Sequence, residues 1–236
     1  MTGLYRGRGL HVYEASHYSQ GEHVEEVEEL LRACPAPAGR ILDLGCSGGL
    51  HALELARRGF PVVGVDVEPS AVRLARSRAA RAGCGADFFV LDLSRDLLSP
   101  LGIFGLVYSL GNVISHVAKA CLPDLLARVR GVVAPGGVFL FDALAAAPDF
   151  PREVVEEGTE VVWTRTLDRA TGQILLDGDF RRHGFRERFQ VWGYTAEEMS
   201  RALEHAGFRR VEISGRLDFE PPPPGHFSSC LKYRAS

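Results

Sequence analysis

Ile41-Leu42-Asp43-Leu44-Gly45-Cys46-Ser47-Gly48-Gly49 runs from a short apolar segment straight into a glycine-rich loop. A brief apolar run bounded by turn residues reads as a buried strand. The glycines after it let the backbone come close to a ligand. Leu50 to Arg58 then has helical character, and Gly59 lies where a helix should stop. The first amides of such a helix have no partner of their own and accept negative charge.

Working outward, the same rhythm repeats. Pro61 to Val65 is a second strand, and a helix runs from Pro69, well placed at a first turn, to Gly83. Asp87 to Leu91 and Phe104 to Ser109 are the third and fourth strands. Pro123 to Val133 is helical, and Pro135-Gly136-Gly137 turns the chain into a fifth strand, Val138 to Phe141. Thr195-Ala196-Glu197-Glu198 is a capping box opening a helix that ends at Gly207, followed by strands at Phe208–Ile213 and Ser229–Arg234. Alternating strands and helices predict an α/β fold: a doubly wound, Rossmann-like, seven-stranded and mostly parallel sheet with helices on both faces.

Two segments stand outside that rhythm. Residues 149–194 are β-rich, with runs at Glu160–Leu167, Gln173–Phe180 and Phe189–Tyr194 and a hairpin turn at Gly172. They read as an antiparallel cap inserted after strand five and laid over the sheet edge. The first 20 residues read as irregular and aromatic, a candidate lid that would exclude water, before a helix at Gly21–Cys34 that Pro35 and Pro37 end. The expected organisation is one domain: lid and helix in 1–38, core in 39–148, cap in 149–194, closing helix and strands in 195–236. Pro221 to Pro224 reads as a stiff surface loop.

Composition narrows the class. The chain has 236 residues, 46% hydrophobic and 24% charged, with a formal net charge of -3. No basic surface for phosphate-backbone binding is indicated, so nucleic acid is not expected as a partner. Only Lys119 and Lys232 are lysine, and the arginines are scattered. Five cysteines without a C-x-x-C pair indicate neither a disulfide framework nor a metal site. No leader-like or membrane-spanning run is present, which points to a cytoplasmic protein. Composition leaves monomer and homodimer open.

Three acids follow the first three strands or precede their loops: Asp43, Asp66 and Asp92. In open α/β sheets ligands bind just outside the carboxyl ends of the strands. All three carboxylates should therefore rim one crevice. Asp66 is placed for two ribose hydroxyls, each charge-assisted bond worth roughly 1.5–3 kcal/mol. Asp92 suits an exocyclic amine, and Asp43 an amino group or the loop amides. An adenosyl group with an amino-acid tail satisfies the set.

These residues resemble a known family. The quoted stretch is similar to the D-x-G-x-G-x-G motif of class I S-adenosyl-L-methionine-dependent methyltransferases. Val63-Gly64-Val65-Asp66 resembles its ribose-binding motif, Leu91-Asp92-Leu93 its adenine segment and Ala134-Pro135-Gly136-Gly137 the turn before its fifth strand. The resemblance implies S-adenosyl-L-methionine as cofactor, bound by Asp43, Gly45, Cys46, Gly49, Asp66, Val67, Asp92, Leu93 and the backbone of Leu110. Ser47 departs from the pattern, standing where the family usually has its middle glycine. A serine costs little at negative φ and more at positive φ, unless Gly48 absorbs the difference.

Ser109-Leu110-Gly111-Asn112-Val113-Ile114-Ser115-His116 resembles the acceptor loop of small-molecule N-methyltransferases of the glycine and sarcosine type. It implies a small-molecule acceptor, with nitrogen favoured over oxygen. Asn112, His116 and His17 are the candidates for a catalytic role. Tyr13, Tyr18, Asn112, His116 and Arg186 are candidates for acceptor contacts, Arg186 and Arg188 sharing one strand face. Two alternatives are weighed. A nicotinamide dehydrogenase would show G-x-G-x-x-G rather than the G-x-x-G-G present, with no role for Asp43. A non-catalytic adenosyl-binding protein would share the loop and acids. The N/D-P-P-Y/F signature of many base-amino methyltransferases is absent after strand four.

Overall fold

The structure is a computed structural model that describes residues 3–146, 153–157, 161–216 and 230–236, the segment 153–157 through its backbone only. The expected turn at Pro221–Pro224 lies outside the described residues. A seven-stranded sheet is formed by β1 (Ile41–Leu44), β2 (Val62–Asp66), β3 (Ala86–Val90), β4 (Phe104–Ser109), β5 (Val133–Leu144), β10 (Val211–Ser214) and β11 (Cys230–Ala235). Its order is β10-β11-β5-β4-β1-β2-β3. The first five strands pair parallel, and β11 runs antiparallel to both β5 and β10. The strand order reverses between β1 and β4, the topological switch point where a crevice must open.

The pleat explains the two cores. Along β4, Leu106 and Tyr108 face one side and Val107 the other, and the register irregularity between Phe104 and Leu106 sets Phe104 with Val107. Against the first side pack α2 (Glu22–Ala33), α3 (Leu50–Arg57) and α4 (Pro69–Ala82), through residues such as Val27, Leu53 and Val72. Against the second pack α5 (Leu122–Arg130) and α6 (Ala196–His205), through Leu125, Val129 and Met199. The capping box is formed: Glu198 N donates to Thr195 Oγ1 at 3.0 Å and Thr195 N to Glu198 Oε2 at 2.8 Å.

Two local expectations are corrected. The N-terminal segment is ordered as a 3-10 turn (Gly3–Tyr5) and a helix, α1 (Gly7–His17). Gly7, Gly9 and the aromatic residues disguise it, because tertiary contacts rather than propensity hold such a helix. Ala134–Gly137 is no turn but an irregularity inside a longer β5, where the pairing register shifts between Phe104 and Leu106. Gly136 there has φ +73°.

The insertion is a second, four-stranded antiparallel sheet, β6 (Glu153–Glu157), β7 (Val162–Asp168), β8 (Gln173–Phe180) and β9 (Phe185–Trp192). Its apolar residues, including Leu167, Ile174 and Val191, cluster with Leu4 and Val12 of the N-terminal segment and Leu144 at the end of β5. The cap therefore joins the N-terminal segment over the carboxyl ends of the strands, not over the edge of the sheet.

Candidate active site

The crevice at the switch point is a cavity of about 900 Å³. Its lining includes Asp43, Cys46, Ser47, Asp66, Val67 and Asp92, which the strand ends bring together. It also includes Tyr5, Tyr13, His116, Glu187, Arg188 and Gln190, from the N-terminal segment, the loop after β4 and β9.

The three acids are in different electrostatic states. Asp43 is 3% exposed, and burial pushes its carboxyl up to about 7, against the opposing pull of His51 and the Tyr108 phenol. Asp66 is also raised, burial outweighing two backbone bonds: Ser47 N donates to Oδ2 at 2.9 Å and Glu68 N to Oδ1 at 2.8 Å. Each of its oxygens keeps a lone pair for a ligand hydroxyl. Asp92 sits lower than an ordinary carboxylate, because Ser94 donates to it through Oγ at 2.6 Å and N at 2.9 Å.

The glycine loop is set by its neighbours. Gly45 N and Cys46 N both donate to Val65 O, at 2.8 and 2.9 Å, tying β1 to β2. Ser47 has φ +49°, and Gly48 is not among the residues at positive φ, so the serine itself carries the left-handed conformation. Its hydroxyl is buried without a hydrogen-bond partner. Gly48 instead leaves room for a side-chain pair. A Cβ there would stand 2.2 Å from Glu14 Oε1 and 2.5 Å from Arg78 Nη1. Those groups form a paired bond, Nη1–Oε1 and Nη2–Oε2 both at 2.7 Å, and Nη1 also donates to Gly48 O at 2.8 Å. This pair clamps α1 onto the glycine loop. Arg6, bonded to Glu68 at 2.8 Å, is a second tie between the N-terminal segment and the cofactor side.

A fourth acid shapes the loop after β4. Asp142, 4% exposed on β5, accepts from Asn112 N at 2.7 Å, Gly111 N at 3.2 Å and Lys232 Nζ at 3.2 Å. Gly111 and Asn112 both have positive φ, +83° and +62°, so their amides converge on one anion. The loop places Leu110 and His116 at the cavity. His116 is an accessible residue of the cavity lining and stacks on Phe189 with centroids 5.4 Å apart. Burial pushes it down to about 4, so it is neutral at pH 7. Tyr5 Oη lies 3.5 Å from His116 Nε2.

The structure thus gathers Asp43, Gly45, Cys46, Asp66, Val67, Asp92, Leu93 and Leu110 around the cavity, with Tyr13, Tyr18 and His116. It places four candidates outside the lining. Gly49 packs beneath the loop, where a Cβ would stand 2.9 Å from Ala75 Cβ. His17 has both ring nitrogens engaged, Nδ1 with Tyr13 O at 3.0 Å and Nε2 with Trp163 Nε1 at 3.4 Å, which makes it a packing residue. Asn112 serves through its backbone on Asp142. Arg186 joins Arg188 in binding Asp177, at 2.8 and 3.0 Å from Arg186 Nε and Nη2, which holds that carboxyl down to about 2. Sequence reading missed Glu14, Asp142 and Glu187. Leu10, Tyr13, Glu14 and His17 do follow the i, i+3, i+4, i+7 spacing of one helix face, the signal that would have exposed α1.

Among the described residues no group of three or more His, Cys, Asp or Glu side chains is placed to hold a metal ion, and no helix is long and apolar enough to cross a membrane.

Comparison with known proteins agrees with this geometry. Residues 41–137 match the family described as Methyltransferase domain. A ubiquinone biosynthesis O-methyltransferase of Xanthomonas campestris pv. campestris (strain B100) is 30% identical over 190 residues, covering 77% of this chain and 73% of that protein. An S-adenosylmethionine-dependent methyltransferase from Clostridium acetobutylicum ATCC 824 superposes with a TM-score of 0.73 at 15% identity, covering 97% of each chain. An amino pentose methyltransferase of calicheamicin biosynthesis from Micromonospora echinaspora, solved with S-adenosylmethionine bound, gives 0.67 at 22% identity, covering 95% and 96%. The residues present fit that cofactor: carboxylates at successive strand ends, Asp43 among them buried, and a glycine loop that opens a helix. With sheet, loop and relatives in agreement, the chain belongs to the class I S-adenosyl-L-methionine-dependent methyltransferases.

Proposed function

We propose that this enzyme methylates a small-molecule acceptor, at nitrogen rather than oxygen. The observation that carries the reading is one cavity lined both by strand-end carboxylates and by aromatic residues of the N-terminal segment beside residues of the cap. When bound, S-adenosyl-L-methionine supplies an electrophilic methyl group on a sulfonium. Asp66 would hold the ribose, Asp92 the adenine amine, and Asp43 with the loop amides the amino-acid tail. What the protein must add is a nucleophile held in line, about 3–3.5 Å from the carbon.

The preference for nitrogen follows from His116. A hydroxyl acceptor needs a general base whose pKa lies near the working pH. Burial makes His116 a weak base, suited to accept a hydrogen bond and orient the acceptor but poorly suited to draw off a hydroxyl proton. An amine needs only its neutral form, with no general base required of the protein. The sequence relatives are named for O-methylation, and at about 30% identity they support a small-molecule acceptor without deciding the atom.

Isothermal titration with S-adenosylhomocysteine tests the site. The wild type should bind it, and NADH should not bind. Asp66→Ala should lose two charge-assisted bonds, roughly a 100-fold loss of affinity or more, with the circular dichroism spectrum unchanged. Equal affinity in the variant refutes the assignment.

A further inference from the structure

One part of the cavity lining is assembled from segments far apart in the chain: Tyr5 and Tyr13 of the N-terminal segment, His116 after β4, and Glu187 of β9. We infer that it is a cation subsite, in which Glu187 and the rings of Tyr5 and Tyr13 receive the acceptor as an ammonium ion. This rests on the methyltransferase reading of the same cavity and names the class of its acceptor, an aliphatic amine.

Charge pairing is the first support. Three acids near the N-terminal segment and cap have cationic partners: Glu14 has Arg78, Glu68 has Arg6, and Asp177 has Arg186 and Arg188. Glu187 accepts a hydrogen bond from Gly3 N at 3.1 Å and, among the described residues, has no ion pair. Arg188, the one arginine side chain lining the cavity, donates both Nε and Nη2 to Asp177 Oδ2, at 3.0 and 2.5 Å. With Arg186 it is directed at that carboxylate rather than at Glu187. Among the described residues Glu187 is thus a carboxylate at the cavity with no cation paired to it.

The walls are the second support. Tyr5 sits edge-on to Tyr13 and to His116, with centroids 5.5 Å apart in both pairs, and 6.2 Å from Phe189. Aromatic rings around a compartment attract a cation through their negative faces. His116, neutral at pH 7, adds no opposing charge. A carboxylate or phosphate acceptor would meet Glu187 as a like charge, and an alcohol would gain one hydrogen bond without the charge. An amine gains both. The subsite collects it as the abundant ammonium, and the neutral fraction formed by proton loss to water is the nucleophile.

The test uses the full chain saturated with S-adenosylhomocysteine at pH 7. Benzylamine is compared with benzyl alcohol, and 2-aminoethanol with ethane-1,2-diol, by ligand-observed NMR titration. The amine of each pair should bind at least tenfold more tightly. Glu187→Gln should erase that difference, and Glu187→Asp should retain part of it. Alcohol binding equal to amine binding, no binding of either, or an amine preference that survives in Glu187→Gln overturns the inference. Failure of the wild type to bind S-adenosylhomocysteine is a separate result, which overturns the reading of the cavity itself.

Discussion

Replacing Ser47 by glycine should stabilise the protein, although most substitutions do the opposite. Ser47 is held at φ +49°, where a Cβ crowds the following carbonyl at a cost of about 1–2 kcal/mol. Its hydroxyl is buried without a partner, a penalty of about 1–3 kcal/mol. Glycine removes both and costs about 0.5–1 kcal/mol in chain entropy. The balance is about 2 kcal/mol in favour of Ser47→Gly. For a chain of this size each kcal/mol moves the melting temperature by about 2–4 °C, so a rise of roughly 4–8 °C is expected by scanning calorimetry. Ser47→Ala separates the two contributions, since it removes the hydroxyl and keeps the strain. The order of melting temperatures should be glycine, then alanine, then serine. A Ser47→Gly protein that melts at or below the wild type refutes the reasoning, because it would mean that the serine is neither strained nor unsatisfied.

Two further outcomes are expected. Asp43 has a folded pKa near 7, above its unfolded value near 4, so the folded state holds the extra proton between those values. This group's contribution to stability therefore falls as pH rises from about 4 to 7, and Asp43→Asn should flatten that part of the stability curve measured by urea unfolding. Gly48→Ala should drive a methyl group into the Glu14–Arg78 pair, loosening the clamp of α1 and speeding release of S-adenosylhomocysteine in stopped-flow. An unchanged release rate would mean that the pair does not guard the cofactor.

The class of fold and the cofactor side of the site were legible in the sequence because both are local. Asp43, Asp66 and Asp92 each lie at or just beyond the end of their own strand, and a parallel sheet brings those ends together whatever the loops do. The glycine loop, the capping box at Thr195 and the proline that opens α4 are equally short-range. The acceptor side is different in kind. Tyr5, His116 and Glu187 become neighbours only when the cap folds back over β5 and the N-terminal segment packs against it through Leu4 and Val12. Arg186 looked available along its own strand, and only the register of β8 against β9, which sets Asp177 opposite Arg188, directs it at a carboxylate. The need for Gly48 was visible as a motif, but its reason, a salt bridge arriving from α1, exists only in three dimensions. Contacts between distant segments depend on how whole layers dock, and no local pattern of residues encodes that.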